Sequence, residues 1–252
     1  MKMRPGIEIA GISDVGCQRE NNEDSYAYWE AEDDAGFKSL GRLAVVADGM
    51  GGHEGGQVAS RIAVEAIQQI YSSSQEPSPQ QRLLEAFRQA NQRIQEQARS
   101  NFMLLGMGTT CTAFAVVGPK LYFAHLGDSH LYLLHSGKLR LLTRDHSLVA
   151  HLVETGMIRE EEAEHHPQKH VLTAALGVSD EIEPDFSPEP LLLEKSDVLL
   201  VCTDGLWGQM NESEIEQVLA KQAPAAACNT LVELAKQRGG PDNITLQVAR
   251  IN

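Results

Sequence analysis

Two stretches in the first half of the chain carry apolar residues at the spacing of an amphipathic helix. One stripe recurs at every fourth residue and the next at steps of three and four, which places each stripe on one helical face. The stripes are Val58, Ile62, Ala66 and Ile70, and then Leu83, Phe87, Ala90, Ile94 and Ala98. Segment 72–79 between them is rich in Ser and Pro, and Pro79 suits the first turn of a helix. The pattern predicts two helices joined by a loop.

Most other apolar segments are short and rich in Val, Leu, Phe and Thr, which is typical of β-strands. The predicted strands are 42–47, 109–117, 121–126, 131–134, 139–142, 198–202 and 244–251. Ser136-Gly137-Lys138 reads as the turn of a hairpin. Two late helices are expected at 212–221 and 225–237, with Gly239-Gly240 as the stop signal.

The order of these elements predicts the fold class. Consecutive strands joined by tight turns favour antiparallel pairing, and the helices come in pairs between groups of strands. We therefore expect an α+β protein of layered sheets flanked by helices, not a regular βαβ alternation. The segment at about 147–173 departs from the pattern, because it is polar and holds Glu160-Glu161-Glu162 and His165-His166-Pro167. No linker divides the chain, so we expect a single domain over residues 1–252.

Composition narrows the class of protein. The 252 residues are 42% hydrophobic and 22% charged, which is typical of a globular chain with a sizeable core. A formal net charge of −14 repels phosphates and argues against a nucleic-acid partner. No apolar run has the length of a membrane helix or a signal peptide, so we expect a cytoplasmic protein with no membrane partner. The four cysteines form no CxxC pair, which argues against a zinc ribbon or a disulfide framework.

Aspartates follow the ends of three apolar strands. They are Asp48, Asp128 and Asp204, and Asp242 stands just before the last predicted strand. An Asp-Gly pair after one strand is an ordinary turn, but strand ends in one sandwich converge on one edge, so these four carboxylates could meet there. Clustered carboxylates repel one another unless they are protonated or neutralised by a cation. An all-oxygen site suits Mg²⁺ or Mn²⁺ better than zinc.

The segment before the first aspartate adds a cation and two acids. Arg19 is either a surface ion pair or a guanidinium that grips a phosphate. Glu23 and Asp24 could orient water near metals, and His53 lies in the glycine-rich turn after Asp48.

Other candidate chemistry is weaker. The glycine-rich turn lacks the GK[ST] of a P-loop, and no G-x-S-x-G elbow occurs. His165, His166 and His170 are interpreted as solvated surface, and His125 as a core histidine.

Seven short segments, in order through nearly the whole chain, resemble the metal-dependent Ser/Thr protein phosphatases of the PPM family, also called protein phosphatase 2C. Its bacterial single-domain branch is the most similar. The segments are Asp14-x-Gly16-x-x-Arg19-x-x-Asn22-Glu23-Asp24, Val46-Ala47-Asp48-Gly49-Met50-Gly51-Gly52-His53, Gly108-Thr109-Thr110, Ala124-His125-Leu126-Gly127-Asp128-Ser129, Thr143-Arg144-Asp145-His146-Ser147, Thr203-Asp204-Gly205-Leu206-Trp207 and Gly240-Pro241-Asp242-Asn243-Ile244-Thr245.

The resemblance implies a four-layer αββα sandwich with two central antiparallel sheets, a binuclear Mn²⁺ or Mg²⁺ centre at one edge, and a flap at about 147–173. It implies that Asp48 bridges two metals, that Gly49 ligates one through its carbonyl, and that Asp204 and Asp242 complete the other. Asp128, together with Asp204, matches a third-metal site.

By the same resemblance, Arg19 would bind the substrate phosphate, and Glu23 and Asp24 would hold metal-bound waters. Many eukaryotic relatives have a histidine where this chain has Met50. We therefore take His53 or a metal-bound water as the general acid.

The expected activity is hydrolysis of phosphoserine and phosphothreonine in proteins by a metal-activated water. By family analogy, the expected partners are phosphorylated proteins, including Ser/Thr kinases and their substrates, and the expected state is a monomer. Two alternatives stay open, namely a catalytically weak regulatory relative and a metal phosphodiesterase or nucleotide hydrolase.

Overall fold

The computed structural model describes Arg4 and residues 6–52, 54–163 and 165–252. Within these residues the strands form two sheets with antiparallel pairing. The strands are β1 (Ile7–Asp14), β2 (Asp24–Glu30), β3 (Arg42–Met50), β4 (Gly108–Thr109), β5 (Cys111–Val117), β6 (Lys120–Leu126), β7 (His130–His135), β8 (Lys138–Leu141), β9 (Asp185–Phe186), β10 (Leu191–Leu192), β11 (Val198–Cys202) and β12 (Ile244–Ile251). The first sheet has the order β1-β12-β11-β7-β8. The second has the order β10-β6-β5-β3-β2, with β4 added to β3 and β9 to β6.

The described residues form eight α-helices. They are α1 (Asp34–Leu40), α2 (Gly55–Ser73), α3 (Pro79–Ser100), α4 (Leu148–Glu154), α5 (Glu160–Ala163), α6 (Asp204–Trp207), α7 (Glu212–Lys221) and α8 (Pro224–Gln237). One core packs α2 and α3 against the second sheet, and another packs α7 and α8 against the first. A third core lies between the sheets, where Phe114 and Val46 meet Leu131 and Val201. The expected four-layer αββα arrangement is confirmed.

The helix and strand predictions hold where the apolar pattern is strong. All five residues of the second predicted stripe are buried in α3. On α2 the predicted stripe is half right, because Ala66 and Ile70 are buried whereas Val58 and Ile62 are only partly buried. The rest of the contact face is formed by Ala59, Ala63 and Ile67, which are fully buried. Small alanines let a helix approach a sheet closely, so they form the contact face although they add little to a hydrophobic pattern.

The predicted strand 109–117 is interrupted in the structure. Thr110 breaks it into β4 and β5, because the Thr110 backbone N–H donates to the Asp48 carbonyl at 2.9 Å. The Thr110 hydroxyl in turn accepts from the Asp48 backbone N–H at 3.0 Å. The break therefore fixes the backbone of a candidate metal ligand.

The polar segment at 147–173 holds the short helices α4 and α5, and neither helix buries a residue among those described. An isolated antiparallel bridge between Ser147 and Leu172 closes its base. Among the residues that the structure describes, no helix is long and apolar enough to cross a membrane.

Candidate metal centre

Turns at neighbouring ends of the two sheets bring the candidate carboxylates together. Asp24 begins β2 and pairs in register with Asp48 near the end of β3. Asp128 lies in the connection from β6 to β7, which crosses between the sheets, and Asp204 begins α6 directly after β11. Asp242 lies in the turn that leads from α8 into β12. These five acids come from both sheets and meet at one edge.

The raised pKa values of these carboxylates show that their charges lie close together. Burial raises the pKa of Asp48 well above its ordinary value, and the charges of Asp24, Asp204, Asp128 and Asp242 raise it further. Burial, followed by the charge of Asp204, raises the pKa of Asp128 to about 8. Each carboxylate disfavours charge on its neighbours, so an added divalent cation would be strongly stabilising here.

Two buried carboxylate oxygens at this edge have no protein partner. Asp24 Oδ1 and Asp204 Oδ1 are inaccessible and make no hydrogen bond within the described structure. Asp48 and Asp204 lie close enough for each to shift the pKa of the other. Buried carboxylate oxygens normally have a partner, and hard divalent cations prefer such oxygens. The donor set therefore fits Mg²⁺ or Mn²⁺.

The carboxylates surround a shared edge and do not form a closed cage. Within the described residues, no three His, Cys, Asp or Glu side chains are already gathered closely enough to hold an ion by themselves. This agrees with the habits of Mg²⁺, which keeps several waters and is typically bound through one or two carboxylates. Backbone carbonyls and waters would complete such a site.

Asp24 forms the buried floor of the edge. Its Oδ2 accepts a hydrogen bond from the Thr203 hydroxyl at 3.0 Å, and Thr203 directly precedes Asp204. Burial raises the pKa of Asp24 to about 7, against the opposing effect of hydrogen bonds from Thr245 and Thr203. Sequence reasoning missed Thr203, although it stands in the same short segment as Asp204.

Gly49 is required by close backbone packing. A Cβ atom at this position would lie 2.1 Å from the Gly56 carbonyl oxygen, in the first turn of α2. The Gly49 N–H donates to the Glu23 carbonyl at 3.2 Å. The carbonyl predicted to reach a metal thus belongs to a tightly held backbone.

Arg19 lies at the solvent-facing rim. Its guanidinium donates to Asp242 Oδ2 at 2.8 Å, and the side chains of Arg19 and Asp242 are 52% and 32% exposed. Burial raises the pKa of Glu23, and the charge of Arg19 opposes that rise. A half-exposed guanidinium beside acidic side chains can reach an incoming phosphate group.

Asn243 ties the Arg19 loop to the Asp242 turn, and sequence reasoning missed it. Its amide donates to the carbonyls of Val15 and Asn21, both at 3.0 Å. Its Oδ1 accepts from the Glu23 N–H at 2.8 Å. Asn243 directly follows Asp242 in the same motif, and this position was the one feature of the sequence that could have indicated its role.

The histidine predictions have mixed outcomes. His53, the predicted general acid, lies outside the described residues. His125 is a buried core histidine as predicted, held by the Thr112 hydroxyl at 2.8 Å and the Arg144 carbonyl at 3.1 Å. His165 and His170 are exposed as predicted, but the charge of His170 also lowers the pKa of Asp204. His170 therefore lies near the carboxylate edge and not on a remote surface.

A four-layer sandwich with clustered acids at the sheet edges defines a family, and the sequence matches it directly. The model of the protein phosphatase 2C family matches residues 18–237, so the chain belongs to this family. The protein phosphatase PhpP of Streptococcus pneumoniae is 36% identical over 252 residues, with 98% of each chain covered.

Solved structures agree with this assignment. The serine/threonine phosphatase PstP/Ppp of Mycobacterium tuberculosis has a TM-score of 0.86 and 36% identity, with 98% of this chain and 99% of that chain covered. A catalytic domain of the serine/threonine protein phosphatase PstP, in complex with two manganese ions, has a TM-score of 0.84 and 35% identity, with 98% of each chain covered.

Proposed function

We propose that this chain hydrolyses phosphoserine and phosphothreonine in proteins and requires Mn²⁺ or Mg²⁺. The observation that carries the proposal is the meeting of five carboxylates at one edge, with two buried oxygens that lack a protein partner. Membership of the protein phosphatase 2C family supports the choice of reaction.

Asp48, Asp204 and Asp242, with the Gly49 carbonyl, would hold two cations, and Asp128 would share a third with Asp204. Divalent cations bound at such a site lower the pKa of water and neutralise charge on phosphoryl oxygens. The donors are all oxygens, as these ions prefer.

The chain's own residues bind and orient the substrate. The Arg19 guanidinium offers a planar fork of donors, which suits two oxygens of a phosphate group. Glu23 and Asp24 accept hydrogen bonds from water at the inner side of the edge and limit its orientation. The bond between phosphorus and the serine or threonine oxygen breaks as the water oxygen bonds to phosphorus, and inorganic phosphate is released.

Two of the buried cysteines are poor nucleophiles. Burial raises the pKa of Cys111 and Cys202, which keeps both thiols protonated at neutral pH. The departing alkoxide needs a proton, and we propose His53 or a bound water as its source. Because water attacks phosphorus directly in this proposal, the reaction needs no covalent phosphoenzyme.

We further propose that residues 1–252 form one catalytic domain in which segment 147–173 is a flap beside the site. The phosphorylated partners would be Ser/Thr kinases and their substrates in the cytoplasm, met by a monomeric enzyme. The exposed rim at Arg19 supports a macromolecular substrate, since a phosphorylated side chain can approach it from solvent.

The test is phosphate release from a phosphothreonine peptide with added Mn²⁺. Turnover should stop with a chelator and return with excess Mn²⁺. Asp48→Asn should reduce kcat at least about 1,000-fold, since it removes a charge shared by the bound cations. Asp180→Asn is the control, because that carboxylate is 80% exposed and pairs only with Arg99 among the described contacts.

The alternative functions give different results in the same assay. Turnover that survives a chelator would contradict the metal mechanism. Faster turnover of nucleotides or phosphodiesters would favour the hydrolase alternative. Peptide binding without turnover would indicate a regulatory relative.

A further inference from the structure

Trp207 joins two of the carboxylate-bearing turns. It is the last residue of α6, the single helical turn that begins at Asp204. Its indole Nε1–H donates to the backbone carbonyl of Asp128 at 2.9 Å. A side chain from the Asp204 turn therefore fixes the backbone of the Asp128 turn.

His130 holds the indole in place from the other side. The imidazole and indole rings stack with centroids 4.3 Å apart and planes 8° apart. His130 Nε2 hydrogen-bonds with Asp145 Oδ1 at 2.8 Å, and its Nδ1 hydrogen-bonds with the Tyr132 hydroxyl at 2.7 Å. Both ring nitrogens are thus engaged, which fixes the ring plane that the indole packs against.

Hydrogen bonds also restrain the residues on either side of Asp128. The bond from Trp207 adds a restraint at the Asp128 carbonyl itself. The Gly127 carbonyl accepts from the His146 N–H at 2.7 Å. The Ser129 hydroxyl hydrogen-bonds with that of Thr110 at 2.8 Å. These bonds together restrain the backbone on both sides of Asp128, and the backbone sets the direction in which its side chain leaves the turn.

We propose that Trp207, with His130 and Asp145 behind it, is a positioning residue that aims the Asp128 carboxylate at the cation it would share with Asp204. The inference rests on the proposed function for the identity of the cation. Its consequence is specific, because only the cation site that uses Asp128 should depend on the indole N–H. The cations held by Asp48 and Asp242 should not.

The test is calorimetric titration of Mn²⁺ into metal-free Trp207→Phe, which keeps an aromatic ring for His130 but removes the N–H. The binding event that is lost in Asp128→Ala should weaken about 10-fold in Trp207→Phe, the size typical when the support of a metal ligand is removed. The other events should not change. The Mn²⁺ concentration for half-maximal turnover should rise by the same factor, while KM for the phosphopeptide at saturating Mn²⁺ stays constant.

Two controls separate positioning from general destabilisation. Trp29→Phe alters the other tryptophan, which packs edge-on against Tyr71 at 6.4 Å, and it should leave every Mn²⁺ event unchanged. In a chain that already carries Asp128→Ala, Trp207→Phe should have no further effect on Mn²⁺ binding. An unchanged isotherm for Trp207→Phe, or an equal loss at every cation site, would overturn the proposal. The titration measures binding and not turnover, so its result tests the role of Trp207 even if the chain has no phosphatase activity.

Discussion

Asn243 offers a way to separate the stability of the site from its function. The Asn243→Ala substitution removes three hydrogen bonds, to Val15, Asn21 and Glu23, at 2.8 to 3.0 Å. Each is worth about 1 kcal/mol net, and water can replace part of the loss at a loop that is partly exposed. We therefore expect the free energy of unfolding to fall by about 2 kcal/mol.

The functional effect should be larger than this loss suggests. Asn243 joins the loop that carries Arg19 to the turn that carries Asp242, so its removal frees the guanidinium from its place at the rim. A misplaced charged hydrogen bond to phosphate costs about 1.5–3 kcal/mol, which corresponds to roughly a 10-fold rise or more in KM. The assay is steady-state hydrolysis of a phosphothreonine peptide at saturating Mn²⁺, beside urea unfolding of the metal-free protein.

Asn91 provides a matched control. It is also a buried asparagine whose amide bonds to a loop, with Ser179 O at 2.8 Å and the Gly177 N–H at 2.6 Å. Asn91→Ala should therefore cost similar stability and leave KM unchanged. If both variants lose stability equally and neither changes KM, the claim that Asn243 places Arg19 is wrong.

Two further predictions concern packing and pH. Gly49→Ala should destabilise the fold by about 1–3 kcal/mol, because its Cβ would lie 2.1 Å from the Gly56 carbonyl. A Cβ at Gly52 would meet no atom of the described residues within 4 Å apart from its chain neighbours, so Gly52→Ala should be neutral in thermal unfolding. Burial, with the charges of His146 and His130, lowers the pKa of His125 to about 3 from 6.5. The unfolded chain takes up this proton first, so stability should fall as pH drops from 6.5 toward 3, by at most about 1.4 kcal/mol per pH unit. In His125→Gln, urea unfolding should show a shallower decline over that range, and an equal slope would refute the assignment.

Sequence reasoning succeeded for elements whose burial pattern is carried by large apolar residues. The helix α3 and the strands β3, β5, β6, β11 and β12 are of this kind, and so is the prediction of layered antiparallel sheets. Sequence reasoning missed β1 and β2, because most of their residues are only half-buried and show no regular alternation. It also missed β9 and β10, because strands of two residues are defined only by the neighbour that they pair with.

For the site, the sequence predicted which acids meet but not what holds them. Aspartates at several strand ends suffice to predict a shared edge, because strand ends in a sandwich converge. The ties made by Thr203, Asn243 and Trp207 join segments far apart in the chain, with Thr203 and Asp24 separated by 179 positions. A local sequence pattern does not reveal a contact between residues so far apart. The only signal in the sequence was that each of these residues lies close to an aspartate of a motif.

The ties made by Thr203 and Asn243 share one property, which is that they connect the two sheets. Thr203 follows a strand of the first sheet and bonds to Asp24 on the second. Asn243 precedes another strand of the first sheet and holds Glu23, directly before the second sheet begins. The carboxylates come from both sheets as well, so their spacing depends on how the sheets lie against each other. Residues next to the acids therefore fix the offset between the sheets at the edge where a cation would bridge them.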